Sequence, residues 1–194
     1  RMTPRAPSLS PDERRASLVE VTIPLLRDYG AALTTRQVAE AAGIAEGTVF
    51  RAFGSKDELV HACAASVFDT TDAISRLRSI RLDQPLEHRL VEAVTVMQAH
   101  VGRVIDLMSS IRAAGAAPSH GDRPHRFRGA DPEVAVAFAD LIGNDCESLR
   151  LPVEEVVEVL AHLTLSSVHP FFPGRGLTPD RIVSVVLDGT RKVH

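Results

Sequence analysis

Residues 34–53 carry the spacing with the clearest chemical use. Thr34-Thr35-Arg36-Gln37 has the form of a capping box, in which the first side chain accepts from the fourth residue's N–H and the fourth reaches back. It opens a short helix with Val38, Ala39 and Ala42 on one face, stopped at Gly43. A second short helix follows at once over Ala45 to Phe53, with Val49 and Phe53 one turn apart, before Gly54 breaks it. Two short helices on so tight a turn have the form of a helix-turn-helix, whose second helix is offered to the major groove of DNA. Ala39 and Ala42 are small enough for close helix approach, Gly43 can adopt positive φ, and Ile44 and Val49 fill the angle between the helices. The bland alternative is a helical hairpin with no DNA role.

Catalytic and metal chemistry find less support. The sequence has no G-x-S-x-G, Walker A, H-E-x-x-H or C-x-x-C, and Gly174-Arg175-Gly176 lacks both the third glycine and the flanking strand of a dinucleotide fingerprint. An enzyme is therefore not expected. His120 and His125 have loop-like spacing with no third ligand, and Cys63 and Cys146 are far apart inside helix-like apolar patterns, so buried thiols are expected in place of a metal or disulfide site. No cofactor and no metal are expected.

The elements that must position the motif are all helical, since apolar residues recur at three- and four-residue spacing almost throughout. Ser10-Pro11-Asp12-Glu13 reads as a capped start of a first helix ending at Gly30, with a kink expected at Pro24, which costs ~3 kcal/mol in a straight helix. Ser55-Lys56-Asp57-Glu58 repeats the capping pattern and predicts one long helix through Leu59, Cys63 and Val67 to about Ile80. Pro85 to about Gly115 reads as one helix or two broken at Gly102. A loop over 116–130 precedes helices starting at Asp131-Pro132 and at Pro152, the latter running to about Val168. A second loop, His169 to Leu177, leads to a last helix from Thr178-Pro179-Asp180.

Of 194 residues, 44% are hydrophobic and 24% charged, and 22 Lys plus Arg against 25 Asp plus Glu give a net charge of −3. That is an ordinary globular composition and excludes a histone-like coat of positive charge. No apolar run reaches the roughly 18–20 residues needed to span a bilayer, and Arg1 to Pro11 is polar and proline-rich, so the expected location is cytoplasmic with no membrane partner.

The run Leu33-Thr34-Thr35-Arg36-Gln37-Val38-Ala39, then Ala42 through Phe53, then Ser55-Lys56-Asp57-Glu58-Leu59, resembles the DNA-binding signature of the TetR family of transcriptional regulators. The resemblance covers about residues 10–60; the rest is similar only in being helical and of suitable length. It implies that Arg36 reaches a guanine edge or a phosphate, and that Arg51 reads a base or phosphate. It implies that Thr35 and Thr48 offer hydroxyls to phosphates, that Gly47 allows close backbone approach, that Phe50 packs on a sugar or thymine methyl, and that Lys56 holds the backbone. Glu46 either accepts from a cytosine amino group or stabilises the helix dipole. Phe50 stands where the family commonly has tyrosine, Ala52 where histidine is frequent, and Ala45 where a serine cap is usual, a loss of about 1 kcal/mol. Over 34–56, Arg36, Arg51 and Lys56 face Glu40 and Glu46, a local balance of only +1. Two copies and an N-terminal arm with Arg1, Arg5, Arg14 and Arg15 would help; the arm alternatively reads as a solvated tail.

The family also implies a homodimer in which the last two long helices, here about 153–168 and 179–191, pair with their symmetry mates in a four-helix bundle. Val156, Val159, Leu160, Leu163, Ile182, Val185 and Val186 are candidates, some of which must instead close the monomer core. It further implies a small-molecule effector pocket, for which Met97, His100, Val101, Val104, Met108, Phe138, Ile142, His162 and Phe171 combine apolar lining with isolated polar groups. Each also reads as plain core. The loop 116–130, with His120, Arg123, His125, Arg126 and Arg128, either gates that pocket or is a solvated segment. The expected protein is all-α, with a three-helix DNA-binding domain and arm over 1–56 and a helical effector-binding and dimerisation domain over 57–194. It would bind a pseudo-palindromic double-stranded operator and release it when an effector enters. The helix from about 57 to 80 would carry the motion. The alternative is a helical ligand-binding or interaction protein with weak or no DNA binding.

Overall fold

The computed structural model describes residues 10–113, 131–169 and 176–191. The expectations for the arm (Arg1, Arg5), for loop 116–130 and for Phe171 lie outside these residues. Among the described residues the elements are α1 (Pro11–Tyr29), a 3-10 turn (Gly30–Ala32), α2 (Thr35–Ala42), α3 (Glu46–Ala52), α4 (Lys56–Phe68), α5 (Thr71–Arg78), α6 (Leu86–Ala113), α7 (Pro132–Ile142), a 3-10 segment (Gly143–Ser148), α8 (Val153–Val168) and α9 (Pro179–Thr190). The all-α expectation holds, and none of these helices is long and apolar enough to cross a membrane.

The helix starts follow their local chemistry. Ser10 accepts from the Glu13 N–H at 3.2 Å while the Glu13 carboxylate accepts from the Ser10 N–H at 2.7 Å. The α-helix runs on through Pro24 to Tyr29. Asp131 caps α7 by accepting from the Glu133 N–H at 3.0 Å, and Thr178 caps α9 by accepting from the Arg181 N–H at 3.3 Å. α6 is a single helix that passes Gly102 unbroken.

One expected helix is two. The segment predicted to run from 57 to about 80 stops at Phe68 and restarts at Thr71. The Asp69 carboxylate accepts from both the N–H (2.9 Å) and the hydroxyl (2.6 Å) of Thr71, and the Thr70 hydroxyl donates to Asp131 at 2.8 Å. Such side chains offer the backbone a turn in place of the next helical bond.

The chain folds as two compact units, and both take in part of α6. Of the described residues, the first unit holds 10–68 with 106–113, extending past the boundary near 56 that the sequence suggests. Its core combines Leu18, Val19, Leu26, Leu33, Val38, Ala39, Val49, Phe53, Leu59, Val60 and Cys63 with Leu107 and Ile111. Cys63 is fully buried and its thiol is pushed up to about 12 by desolvation, so it is an inert core group. The buried Thr22 donates its hydroxyl to the Leu18 carbonyl at 2.6 Å and so needs no other partner.

The second unit holds the described residues of 69–105 and 131–191. Leu77, Leu90, Ala93, Val94, Ile142, Val156, Ile182 and Val183 are at the centre of its core. Buried Thr164 and Thr190 repeat the back-bond of Thr22, to Leu160 and Val186, each at 2.7 Å. The Gln98 amide donates to Ser167 Oγ and to the Leu177 carbonyl, both at 2.8 Å, tying α6 to α8 and to the segment before α9. Buried Arg89 pairs with Asp145, and its Nε has no partner.

Candidate nucleic-acid interface

The turn between α2 and α3 is built as its composition requires. Thr34 accepts from the Gln37 N–H at 3.2 Å, and the Gln37 side chain accepts from the Thr34 N–H at 2.8 Å. At the other end Gly43 takes φ 66° and ψ 31°. Its N–H reaches the Glu40 carbonyl at 3.2 Å and the Ile44 N–H reaches the Ala39 carbonyl at 3.0 Å, the paired bonds of a Schellman motif. α3 begins without a side-chain cap, because Ala45 has none to offer. Val49 and Phe53 are 1% exposed and fix α3 on the core, which leaves the opposite face outward.

The residues singled out from sequence are all at least partly exposed, and hydrogen bonds join Thr35 to Glu46 and Arg51 to Thr48. Arg36, Glu46, Gly47, Phe50 and Arg51 are exposed, Phe50 at 47%, while Thr35, Thr48 and Lys56 are partly exposed. A Cβ at Gly47 would meet nothing of the protein within 4 Å, so the open backbone there serves no internal packing. Thr35 Oγ1 donates to the Glu46 carboxylate at 2.6 Å, linking the first residues of α2 and α3.

Each cation has a partner within the chain. Arg36 Nε donates to Glu40 at 3.0 Å across one turn of α2. Arg51 folds back along α3, with Nε 3.3 Å from the Gly47 carbonyl and an Nη 3.3 Å from Thr48 Oγ1. Lys56 Nζ donates to the Ala31 carbonyl at 2.9 Å. Exposed pairs of this kind are weak, on the order of 0–1 kcal/mol, and exchange readily for a phosphate. Beside the turn, Arg14, Ser17, Leu18, Ala42, Ile44, Ala45 and Thr48 line an open cleft of about 370 Å³.

The sequence groups Arg15 with the arm, yet it lies in α1, and its guanidinium, on a half-buried side chain, donates to the Ala52 carbonyl and to Glu58, 3.1 Å away, and stacks 4.3 Å from the centre of the Phe53 ring. A signal existed: Arg15 precedes Leu18, Val19 and Thr22 at the three-, four- and seven-residue spacing of the buried face of α1. Glu58 also accepts from the Gly54 N–H at 2.9 Å; these bonds hold its carboxyl below the usual range, with Arg15 the larger cause. Ser55 does accept from the Glu58 N–H at 3.1 Å, but the Glu58 carboxylate goes to Gly54 and Arg15 rather than back to Ser55.

The effector-pocket candidates are scattered. Phe138 and Ile142 are buried in the core of the second unit, with Met97 half-buried against it. His100 (7% exposed) and Val104 (6%) are buried in the same unit, and Val101 is half-buried. Burial pushes the His100 imidazole down and Arg103 adds to this, against the pull of Asp69 and Asp72. Met108 packs instead against the core of the first unit. His162 is exposed, its Nδ1 2.8 Å from the Glu158 carbonyl. Among the described residues no group of three or more His, Cys, Asp or Glu could hold a metal ion.

Residues 18–63 match the family described as bacterial regulatory proteins, tetR family. A 77-residue stretch is 32% identical to the HTH-type transcriptional regulator BetI 1 of Chromohalobacter salexigens, covering 39% of this chain and 38% of that protein. A TetR-family regulator of Mesorhizobium loti shares the fold at TM-score 0.62 and 11% identity, over 95% of this chain and 100% of the other. Another, from Streptomyces coelicolor, does so at TM-score 0.53 and 17% identity, over 93% and 99%. The capped two-helix motif lies inside the segment, residues 18–63, that matches this family, and the helical fold is shared over nearly the whole chain with these two solved structures.

Proposed function

We propose that the chain is a DNA-binding transcriptional regulator, a repressor that holds a pseudo-palindromic operator as a homodimer and is released by a small molecule. The observation that carries this reading is the outward face of the α2–α3 motif, where Thr35, Arg36, Gly47, Phe50 and Arg51 sit over a core closed by Val38, Ala39, Val49 and Phe53. Arg36 and Arg51 read a base or phosphate, Thr35, Thr48 and Lys56 hold phosphates, and Phe50 packs on sugar or a thymine methyl. Because Glu46 already accepts from Thr35, we assign it to orienting α3 rather than to cytosine.

For the homodimer, Val156, Leu160, Ile182 and Val186 are buried within one chain and close its core. Val159 (41% exposed), Val185 (49%) and half-buried Leu163 remain for a seam between α8 and α9 of two copies. Exposed His162 belongs beside that seam. Two reading helices about one DNA turn apart, ~34–36 Å, would then face a two-fold site. The effector site is placed in the second unit around Met97, His100, Val101, Val104, Phe138 and Ile142, and Met108 is set apart from it. Effector binding would weaken operator binding by a coupling of about 1–3 kcal/mol. No catalytic role, metal or cofactor is proposed.

The test is selection of random duplex DNA by the purified protein, followed by a salt titration on the best sequence. A recovered inverted repeat with a steep salt slope is expected. A helical interaction protein with little DNA affinity is the second reading; it is favoured by the +1 local balance and by the internal partners of Arg36, Arg51 and Lys56. Absence of any enriched sequence would select it.

A further inference from the structure

We infer that Arg15 is a positioning residue for DNA reading: it sets the direction of α3 from behind and contacts no DNA itself. The inference rests on α3 being the reading helix. α3 is only seven residues long and begins without a side-chain cap, so little within the helix itself fixes its axis. Its start is tied by the Thr35–Glu46 hydrogen bond and its middle by the burial of Val49. Its end is held by Arg15, which donates to the carbonyl of Ala52, the last helical residue, where the helix dipole favours a cation. The same guanidinium lies over the Phe53 ring and pairs with Glu58 in the first turn of α4. Glu58 in turn accepts from the N–H of Gly54, the residue that breaks the chain between α3 and α4. A single planar fork thus joins α1, the end of α3 and the start of α4, a set of bonds that the point charge of lysine cannot reproduce together. Arg15 is half-buried and bonds across 37 and 43 positions, whereas exposed Arg36 and Arg51 bond only within their own helices.

The test compares the unaltered protein with Arg15→Met, Arg15→Lys and Glu58→Gln, well below each melting temperature, on the selected duplex and on a random one. Arg15→Met keeps a stem to lie on Phe53 and loses the fork. We expect its affinity for the selected duplex to fall about tenfold, the size of one spoiled base contact, with random-duplex affinity and salt slope unchanged. Glu58→Gln weakens the tie to α4 but leaves the Arg15 bond to Ala52 and its stacking on Phe53, so it should lower discrimination in the same direction by less than Arg15→Met; Arg15→Lys should restore it only in part. A salt slope lower by about one per subunit, equal weakening on both duplexes, or full rescue by lysine would show a direct phosphate contact and overturn the proposal. So would unchanged discrimination in Arg15→Met. Hydrogen exchange gives a reading without DNA: peptides over 46–58 should exchange faster in Arg15→Met while 35–42 do not, and equal exchange overturns the proposal. If the unaltered protein prefers no duplex, the regulator reading fails, and the exchange comparison still decides the role of Arg15.

Discussion

The two units differ in the charged and titratable groups that their cores contain. In the first, the buried polar side chain is Thr22, bonded within its own helix, while exposed or half-buried side chains at helix ends hold backbone groups: Ser10, Thr34 and Glu58 take N–H groups, and Arg15 and Lys56 take the carbonyls of Ala52 and Ala31. In the second, Arg89 and His100 are buried along α6 in or beside an apolar core, and Arg89 Nε has no hydrogen-bond partner. Bonds at helix ends orient short helices, which suits the reading role proposed for α3. Polar groups set into an apolar core leave capacity for a guest, at some cost in stability.

The strongest way to break the contrast is to empty the first core. Phe53→Ala should cost about 3–5 kcal/mol, seen as a lower urea midpoint, because the ring is 1% exposed and also carries Arg15. In the second unit, Asp145→Ala should cost on the order of 1–2 kcal/mol by stranding the buried Arg89, reduced by the 47% exposure of the Asp145 side chain. Arg89→Met should cost less or stabilise, since it removes the desolvated charge together with its orphaned donor. If Arg89→Met proves the more damaging of the two in chemical denaturation, Arg89 is integral to the core rather than held there at a cost.

Within the motif the two helix starts give a finer comparison. Thr34→Ala should destabilise by about 1 kcal/mol, whereas Ala45→Ser, supplying the missing cap of α3, should stabilise by up to a similar amount in thermal melts. The smallest effect is on pH. The carboxyls of Glu13 and Glu58 are held below their ordinary 4.5, by Ser10 and by Arg15 with Gly54 respectively. A depressed carboxyl stabilises the fold above its unfolded value and loses that contribution as pH falls through the folded value. Stability of the first unit should therefore decline below about pH 4.5, and Glu58→Gln should flatten the decline in a pH series of melting temperatures. His100 works in the same direction nearer neutrality. Its lowered imidazole favours the fold above the ordinary 6.5 and opposes it as pH falls below, so His100→Gln should flatten that limb.

What could be read in advance were the interactions closed within about four residues. The boxes at Ser10 and Thr34, the left-handed Gly43, the absent cap at Ala45 and the proline starts of α1, α7 and α9 depend on neighbours along the chain. The exposed set on α2 and α3 was legible for the same reason: helical period fixes which residues share a face once Val38 and Val49 are known to point inward.

The rest depended on partners far along the chain. The helix expected from 57 to 80 breaks at Asp69-Thr70: the turn that Asp69 closes on Thr71 is local and competes with a continuous helix, and the bond of Thr70 to Asp131, 61 positions away, is the part the sequence does not show. Met97 and Met108 lie on one apolar stripe of α6 yet pack against different cores, because that helix passes from one unit into the other. Arg15 meets Ala52 and Glu58 across 37 and 43 positions, so whether it faces solvent or the back of α3 depends on how α1 and α4 pack. The sequence by itself determined the helical class, most helix starts with their caps, and the motif, since those free energies are local. Only the tertiary structure decided which charges serve the protein's own frame and which remain on the outward face, because that choice depends on distances that exist only once the chain has folded.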